Sequence, residues 1–278
     1  VLMSLKIDFH IHTCCSDGTM SPEEIVEKYN KEEFSTIAIT DHEVTDGIKA
    51  AQEAARDKNI KVIPGIELAT DTDSTELHIL GYYIDTENAR LKEALARLAE
   101  IRKKRNEGIL RVLQEKNIEI EEKDLIQHEG QTYIGKPNFA AALLDKGYIK
   151  EFSEAFSPGR FLESEEVRAV RREKLSTEEA IDLIRGAGGI PVLAHPCKIR
   201  GIGRRGSEEF EKNFDVLLAK LKKAGLKGLE CVYPQHNDEE RLYFISMASK
   251  YHLHVTEGSD FHGRQRTFQN MEAQEAVE

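Results

Sequence analysis

The sequence predicts an α/β fold with a parallel sheet, either doubly wound or closed into a barrel. Three observations predict it. Seven short strand-like segments recur along the chain, most of them alternate with amphipathic helical stretches, and the rhythm breaks once, between residues 85 and 175. Strands alternating with helices favour parallel neighbours, because each crossover helix carries the chain back to start the next strand in the same direction.

The elements follow in order. LKIDFHI (5–11), TIAIT (36–40), KVIPGIEL (61–68) and ELHILGY (76–82) read as the first four strands. IPVLAH (190–195), KGLECVY (227–233) and HLHVTEGSD (252–260) read as the last three. SPEEIVEKYNKE opens with a helix-start signal, in which Ser21 can cap and Pro22 takes the first helical position. TDGIKAAQEAARDKN, STEEAIDLIRGAGG, SEEFEKNFDVLLAKLKKAG and NDEERLYFISMASKY continue the alternation. In the interruption, residues 86–117 read as one long charged helix. Its apolar positions Leu91, Leu95, Leu98, Ile101, Ile109, Val112 and Leu113 recur at helical spacing. Shorter helical pieces follow around EEKDLIQHE and PNFAAALLDKG. Residues 85–175 are therefore expected to form a helical insertion over one end of the sheet, which is built from residues 1–84 and 176–278. The tail RQRTFQNMEAQEAVE shows no clear element.

Composition narrows the function. The 278 residues carry a net charge of −11, which argues against a broad basic face for duplex nucleic acid. A small anionic substrate stays compatible, since a cationic pocket or a metal cluster can invert the field locally. No apolar run approaches a membrane-spanning length, and VLMSLKIDFH lacks a signal-peptide pattern, with Met3 a candidate start. The four cysteines, with Cys14 next to Cys15, do not resemble a disulfide framework and suit a reducing cytoplasm.

In IDFHIHTCCSDG, His10 and His12 stand at alternate strand positions and project from one face. Two imidazoles side by side suit a metal ion. One such pair is a weak signal, and a lone histidine is more often structural than a ligand. Other segments add to it: Asp17, then Asp41-His42 after the second strand, Glu67 ending KVIPGIE, His78, His195 ending IPVLAH, and Asp260 with His262. Six histidines among these candidates thus lie in or just after strand-like segments, where α/β sites are built. Chance gives no reason for acids and histidines to gather at strand ends, so the joint placement favours a site. Mixed imidazole and carboxylate donors suit Zn²⁺, Mn²⁺ or Fe²⁺. Nine donors exceed the needs of one ion, so two or three divalent ions are expected, the arrangement that serves phosphoryl transfer. Cys14 and Cys15 are read as small loop residues.

DFHIHTCCSDG, ITDHEVTDG, PGIEL, LHILGY, LAHP and GSDFHG, in this order, resemble the successive motifs of the PHP (polymerase and histidinol phosphatase) superfamily. The resemblance runs through nearly the whole chain. It implies a distorted seven-stranded β/α barrel with metal ligands at His10, His12, Asp17, His42, Glu67, His78, His195, Asp260 and His262. The long insertion resembles the branch of 3′,5′-nucleotide bisphosphate phosphatases and 5′→3′ exonucleases acting on short oligonucleotides. It implies Arg105 as the arginine of the insertion helix, and Lys136 and Asn138 stand in GKPNFA where that branch usually has Arg and His. Glu43 also departs, since the family more often has Asp after the Asp-His pair.

The expected activity is hydrolysis of a nucleotide phosphate ester by a metal-bound hydroxide, with Asp17 and His42 at the catalytic centre; the leaving oxygen takes its proton from Asp41 or His236, or is stabilised by a metal instead. Arg105, Lys136, Lys198 and His236 are the expected substrate contacts. The expected substrates are a 3′,5′-bisphosphonucleoside or a short 5′-phosphorylated oligonucleotide. The alternatives are a histidinol-phosphate-type monoester phosphatase, an amide hydrolase and a non-catalytic metal-binding regulatory module.

Overall fold

A computed structural model describes residues 5–73, 75–128 and 131–263; Met3 and the tail beginning at Arg264 lie outside them. Eight strands form one sheet among the described residues: β1 (Lys6–Ile11), β2 (Phe34–Ile39), β3 (Lys61–Thr72), β4 (Thr75–Tyr82), β5 (Leu175–Ser176), β6 (Ile190–Leu193), β7 (Gly228–Val232) and β8 (His254–Glu257). The order is β1-β2-β3-β4-β6-β7-β8, with β5 paired to β3.

Two expectations are corrected. The strand count is eight, because β5 is only two residues long and leaves no periodic trace in the sequence. The sheet is also mixed, since β4 runs antiparallel to both β3 and β6. Thr72 pairs with Thr75, so the chain reverses within a tight turn and no crossover helix can intervene. No ladder pairs β1 with β8 among the described residues. Instead His12 N–H donates to the Phe261 carbonyl at 2.8 Å, and Phe261 N–H donates to the His10 carbonyl at 3.2 Å. The two ends of the sheet therefore meet just beyond β8.

Among the described residues eight α-helices accompany the strands: α1 (Pro22–Lys31), α2 (Asp46–Ala54), α3 (Ala89–Glu115), α4 (Lys136–Asp145), α5 (Glu165–Ala169), α6 (Thr177–Gly186), α7 (Glu208–Ala224) and α8 (Asp238–Lys250). Their starts follow local chemistry. Ser21 accepts from Glu24 N–H while Glu24 accepts from Ser21 N–H, and Asn88 accepts from Leu91 N–H at the head of α3. No helix among the described residues is long and apolar enough to cross a membrane.

Strand alternation divides the core. Ile37, Ile39, Ile79 and Leu193 face the large core beneath the helices, while Ala38, Leu80 and Val192 face a small cluster with Ile63 and Tyr82. Both faces are buried, so these strands read as apolar runs. A separate core gathers Ile109, Leu113, Leu125, Phe139, Leu143 and Leu162. Helix α3 belongs to both, since Leu91 and Leu98 pack into the large core.

Candidate metal centre

The strand ends deliver the side chains. His10 and His12 leave β1 on one face, with ring centroids 5.2 Å apart. Past β2 the chain stays paired to β3 by a bridge between His42 and Glu67, fixed by Glu67 N–H to the Asp41 carbonyl at 3.1 Å. His195 follows β6 and Asp260 follows β8, with φ values of 25° and 53°. Left-handed backbone at non-glycine residues is strained and tends to be kept where geometry serves function. Gly258 allows the close approach to β1, because a Cβ there would collide with His10 and with Glu230.

Glu67 lies at the middle of this group and is fully buried. Its Oε2 is 3.3 Å from His10 Nε2, 3.2 Å from His12 Nε2 and 3.2 Å from His42 Nδ1. Its Oε1 is 2.8 Å from His78 Nδ1 and 3.1 Å from His195 Nε2. Asp260 Oδ1 closes on His10 at 3.3 Å and His12 at 3.1 Å. Asp17 reaches His262 Nε2 at 3.2 Å, His12 Nδ1 at 3.7 Å and His42 Nε2 at 3.8 Å. All nine residues expected as ligands are thus brought into one group. Three sets have donor atoms close enough to share an ion: His12, Asp17, His42 and His262; His10, His12, Glu67 and Asp260; and His42, Glu67 and His78.

The donor set fits divalent metal. His10 Nε2, both ring nitrogens of His12 and Glu67 Oε2 are buried without a hydrogen bond. Each such atom costs about 1–3 kcal/mol unless something satisfies it. Burial alone would lower His12, but the carboxylates of Asp260, Glu67 and Asp17 around it push it up to about 10. Burial is likewise overcome at His78, which Glu67 and Glu76 raise to about 9. His42 is lowered to about 4 by burial, and His195 to about 3 by burial with Lys198 adding to it. Against the effect of burial, neighbouring imidazoles hold Glu67 well below the usual carboxylate range. A cation replacing the protons of such a cluster needs neutral imidazoles and ionised carboxylates, which these residue types provide.

Around this group the remaining sequence-based expectations separate. Asp41 is buried and spends its oxygens on the loop that carries Asp17: it accepts from Thr13 N–H at 2.7 Å, Thr13 Oγ1 at 2.7 Å and Ser16 Oγ at 2.5 Å. Those bonds tie up the carboxylate that the sequence offered as a proton donor. His236 is bonded through Nδ1 to the Cys231 carbonyl at 2.8 Å and packs on Phe244, and it does not line the cavity described below. Lys198 Nζ sits 3.1 Å from Asp260 Oδ2, beside the ligands rather than out in the cavity. Asn138 is a helix-start residue that accepts from Gly135 N–H and donates to the Leu125 carbonyl.

A cavity of about 590 Å³ opens on Asp17, His42 and His78, and Arg105, Lys136, Arg168, Arg171, Arg172 and Lys174 line it as well. Arg105 Nε is buried without a hydrogen bond, and burial lowers this guanidinium to about 10. Lys136 Nζ is 2.9 Å from Glu163 and 3.1 Å from the Leu162 carbonyl. Sequence reasoning missed Arg168, Arg171, Arg172 and Lys174, which lie in charged stretches indistinguishable from a solvated face. It also missed Glu230, whose Oε1 is 2.9 Å from His10 Nδ1 while Oε2 accepts from His195 N–H at 2.6 Å. The one available signal was a carboxylate between Leu229 and Cys231 in an otherwise apolar strand.

Comparison with known proteins adds to this geometry. The family described as PHP domain matches residues 8–231. The chain is 30% identical over 257 residues to the 5′-3′ exoribonuclease Rnm of Salmonella typhimurium, covering 92% of this chain and 84% of that protein. It is 28% identical over 258 residues to the 3′,5′-nucleoside bisphosphate phosphatase of Chromobacterium violaceum, covering 92% and 87%. A solved structure from Bifidobacterium adolescentis, provisionally named a metal-dependent phosphoesterase, superposes with a TM-score of 0.79 at 27% identity, covering 97% of this chain and 95% of that one.

Proposed function

Because the chain belongs to the PHP domain family and is a metal-dependent phosphoesterase, we propose that its substrate is a nucleotide bearing a second phosphate. That substrate is a 3′,5′-bisphosphonucleoside or the 5′ end of a short oligonucleotide. The observation that carries this reading is the cavity: six cationic side chains outnumber the carboxylates of Asp71, Glu76 and Glu163 in its lining, which they share with candidate metal ligands. A monoester phosphatase needs no second anchor for charge, so this lining disfavours the histidinol-phosphate alternative. The names of the two relatives above support both forms of the nucleotide reading.

The nine residues His10, His12, Asp17, His42, Glu67, His78, His195, Asp260 and His262 would hold two or three divalent ions. Bound there, such ions supply an activated water and neutralise charge on the phosphoryl oxygens. The chain's own residues orient and hold the substrate. Arg105, with an unsatisfied buried guanidinium edge, grips the phosphate that is not cleaved, and Lys136 adds charge at the same wall. Lys198 restrains Asp260, and Asp41 keeps the Asp17 loop in place. Residues 85–175 act as an insertion upon the unit of residues 1–84 and 176–278, a division supported by the separate core around Phe139. Cytoplasmic residence belongs to the same proposal; the free thiols of Cys14, Cys15 and Cys231 support it.

The test is phosphate release by the Mn²⁺-loaded protein from adenosine 3′,5′-bisphosphate, beside 5′-AMP, histidinol phosphate and a short 5′-phosphorylated RNA. His10→Ala gives the background. Preference for the bisphosphate or the RNA is expected. Equal or better turnover of histidinol phosphate would overturn the reading.

A further inference from the structure

Glu43 directly follows His42, yet it turns toward the insertion. Its φ of 53° is unusual for a non-glycine residue, and its N–H donates to the Glu67 carbonyl at 3.0 Å. The residue is 2% exposed. A buried carboxylate needs partners, and two guanidiniums meet this one. Arg172 grips it as a fork, with Nη2 2.9 Å from Oε1 and Nη1 3.0 Å from Oε2. Arg102 also bonds Oε2, and its guanidinium lies 4.2 Å over the Tyr133 ring, which in turn stacks on His42 at 5.8 Å and 24°. Arg172 lines the cavity. Both of its terminal nitrogens point at Glu43, so the orientation of this cation toward the cavity is set from behind.

We propose that Glu43 is a positioning residue that fixes Arg172 on the cavity wall for recognition of the uncleaved phosphate. This rests on the function proposed above. Three guanidiniums, those of Arg102, Arg105 and Arg172, crowd one region around Tyr133, and Glu43 is the carboxylate shared by two of them. Without its charge the like-charged groups repel, and Arg172 loses the fork that holds it. The departure from the aspartate more usual at this position thus gains a purpose: the longer side chain spans from the strand end to two arginines.

The experiment is a double-mutant cycle with Glu43→Gln, Arg172→Ala and the pair in the Mn²⁺-loaded protein, read on adenosine 3′,5′-bisphosphate and on 3′-AMP, which lacks the second phosphate. Metal content and melting temperature are measured for each variant. Glu43→Gln is expected to raise KM for the bisphosphate about tenfold, the scale of one charge-assisted contact, with kcat little changed. KM for 3′-AMP should move much less, and the double variant should be no worse than Arg172→Ala alone. Equal losses on both substrates, additive effects or an unchanged KM would overturn the proposal. Should Glu43→Gln fail to fold, Glu43→Asp takes its place in the cycle. If the wild-type protein turns over neither nucleotide, the functional reading fails. The cycle is then read as dissociation constants for the bisphosphate by calorimetry, where absence of coupling overturns the clamp by itself.

Discussion

Replacing Glu230 with glutamine tests how far metal affinity is set from behind the imidazoles. Glu230 is fully buried and serves two donors, His10 Nδ1 at 2.9 Å and His195 N–H at 2.6 Å. Facing a carboxylate, Nδ1 carries the hydrogen, which leaves the lone pair of His10 Nε2 to ligate a cation held beside Glu67 and Asp260. Glutamine keeps the shape but has one oxygen and one NH₂. Whichever way the amide is turned, one of the two donors meets another donor. A buried donor left unsatisfied costs about 1–3 kcal/mol. For a large domain that is about 2–4 °C of melting temperature per kcal/mol. If the amide oxygen stays with His195, His10 loses its preference for the right tautomer, and loss of such an outer partner typically costs about 10–100-fold in metal affinity. The assay is competition of Mn²⁺ or Zn²⁺ against a chelator, with thermal melts of the metal-free protein beside it. Wild-type metal affinity in Glu230→Gln would refute the argument, whatever happened to stability.

Further outcomes follow from the same geometry. Arg105→Ala should raise KM for the bisphosphate about tenfold at nearly unchanged kcat, since it holds charge remote from the reacting atoms; a kcat loss of equal size would place it at the reaction instead. Asp41→Ala should lower stability in urea by at least about 2 kcal/mol, because three donors of Thr13 and Ser16 lose their acceptor; lost activity at unchanged stability would return Asp41 to the chemistry. Metal-free protein should be most stable near about pH 6.5. His12 and His78, raised to about 10 and about 9, add stability that is complete below that pH and is lost as pH rises through those values. His42 and His195, lowered to about 4 and about 3, add stability that is present above it and is lost as pH falls toward those values. Urea melts across this range check the profile, and stability still climbing beyond pH 8 would contradict it.

How much of this could be read from the sequence depends on where each signal lives. His10 and His12 announced themselves because strand alternation fixes which way side chains point. Glu67, His195 and Asp260 were legible because α/β sites gather at strand ends. The reversal of β4 was not legible, since LHILGY carries the same apolar pattern in either direction and only the short turn after Thr72 reverses it. Arg172 and Arg102 were hidden for a different reason. Their neighbours are also charged, and nothing local distinguishes a guanidinium bonded to buried Glu43 from one in water. Glu43 was noticed as a departure, but its partners lie 59 and 129 residues away. Long-range ion pairs of this kind are written in the fold rather than in any window of sequence.

The single helix α3 has a consequence for how this protein can change. Leu91 and Leu98 lock its first half into one core, and Ile109 and Leu113 lock its second half into the other. Arg102 and Arg105 stand on the stretch between. One residue added between Leu98 and Ile109 would turn everything beyond it by about 100°, a step fixed by 3.6 residues per turn. Arg105 would swing away from the cavity, or the second core would be torn from its seat. A lineage can therefore alter the far wall side chain by side chain, but it can lengthen or shorten this spoke only by near-whole turns, in steps of about 5.4 Å. Substrate reach in such proteins is quantised by the helix that measures it.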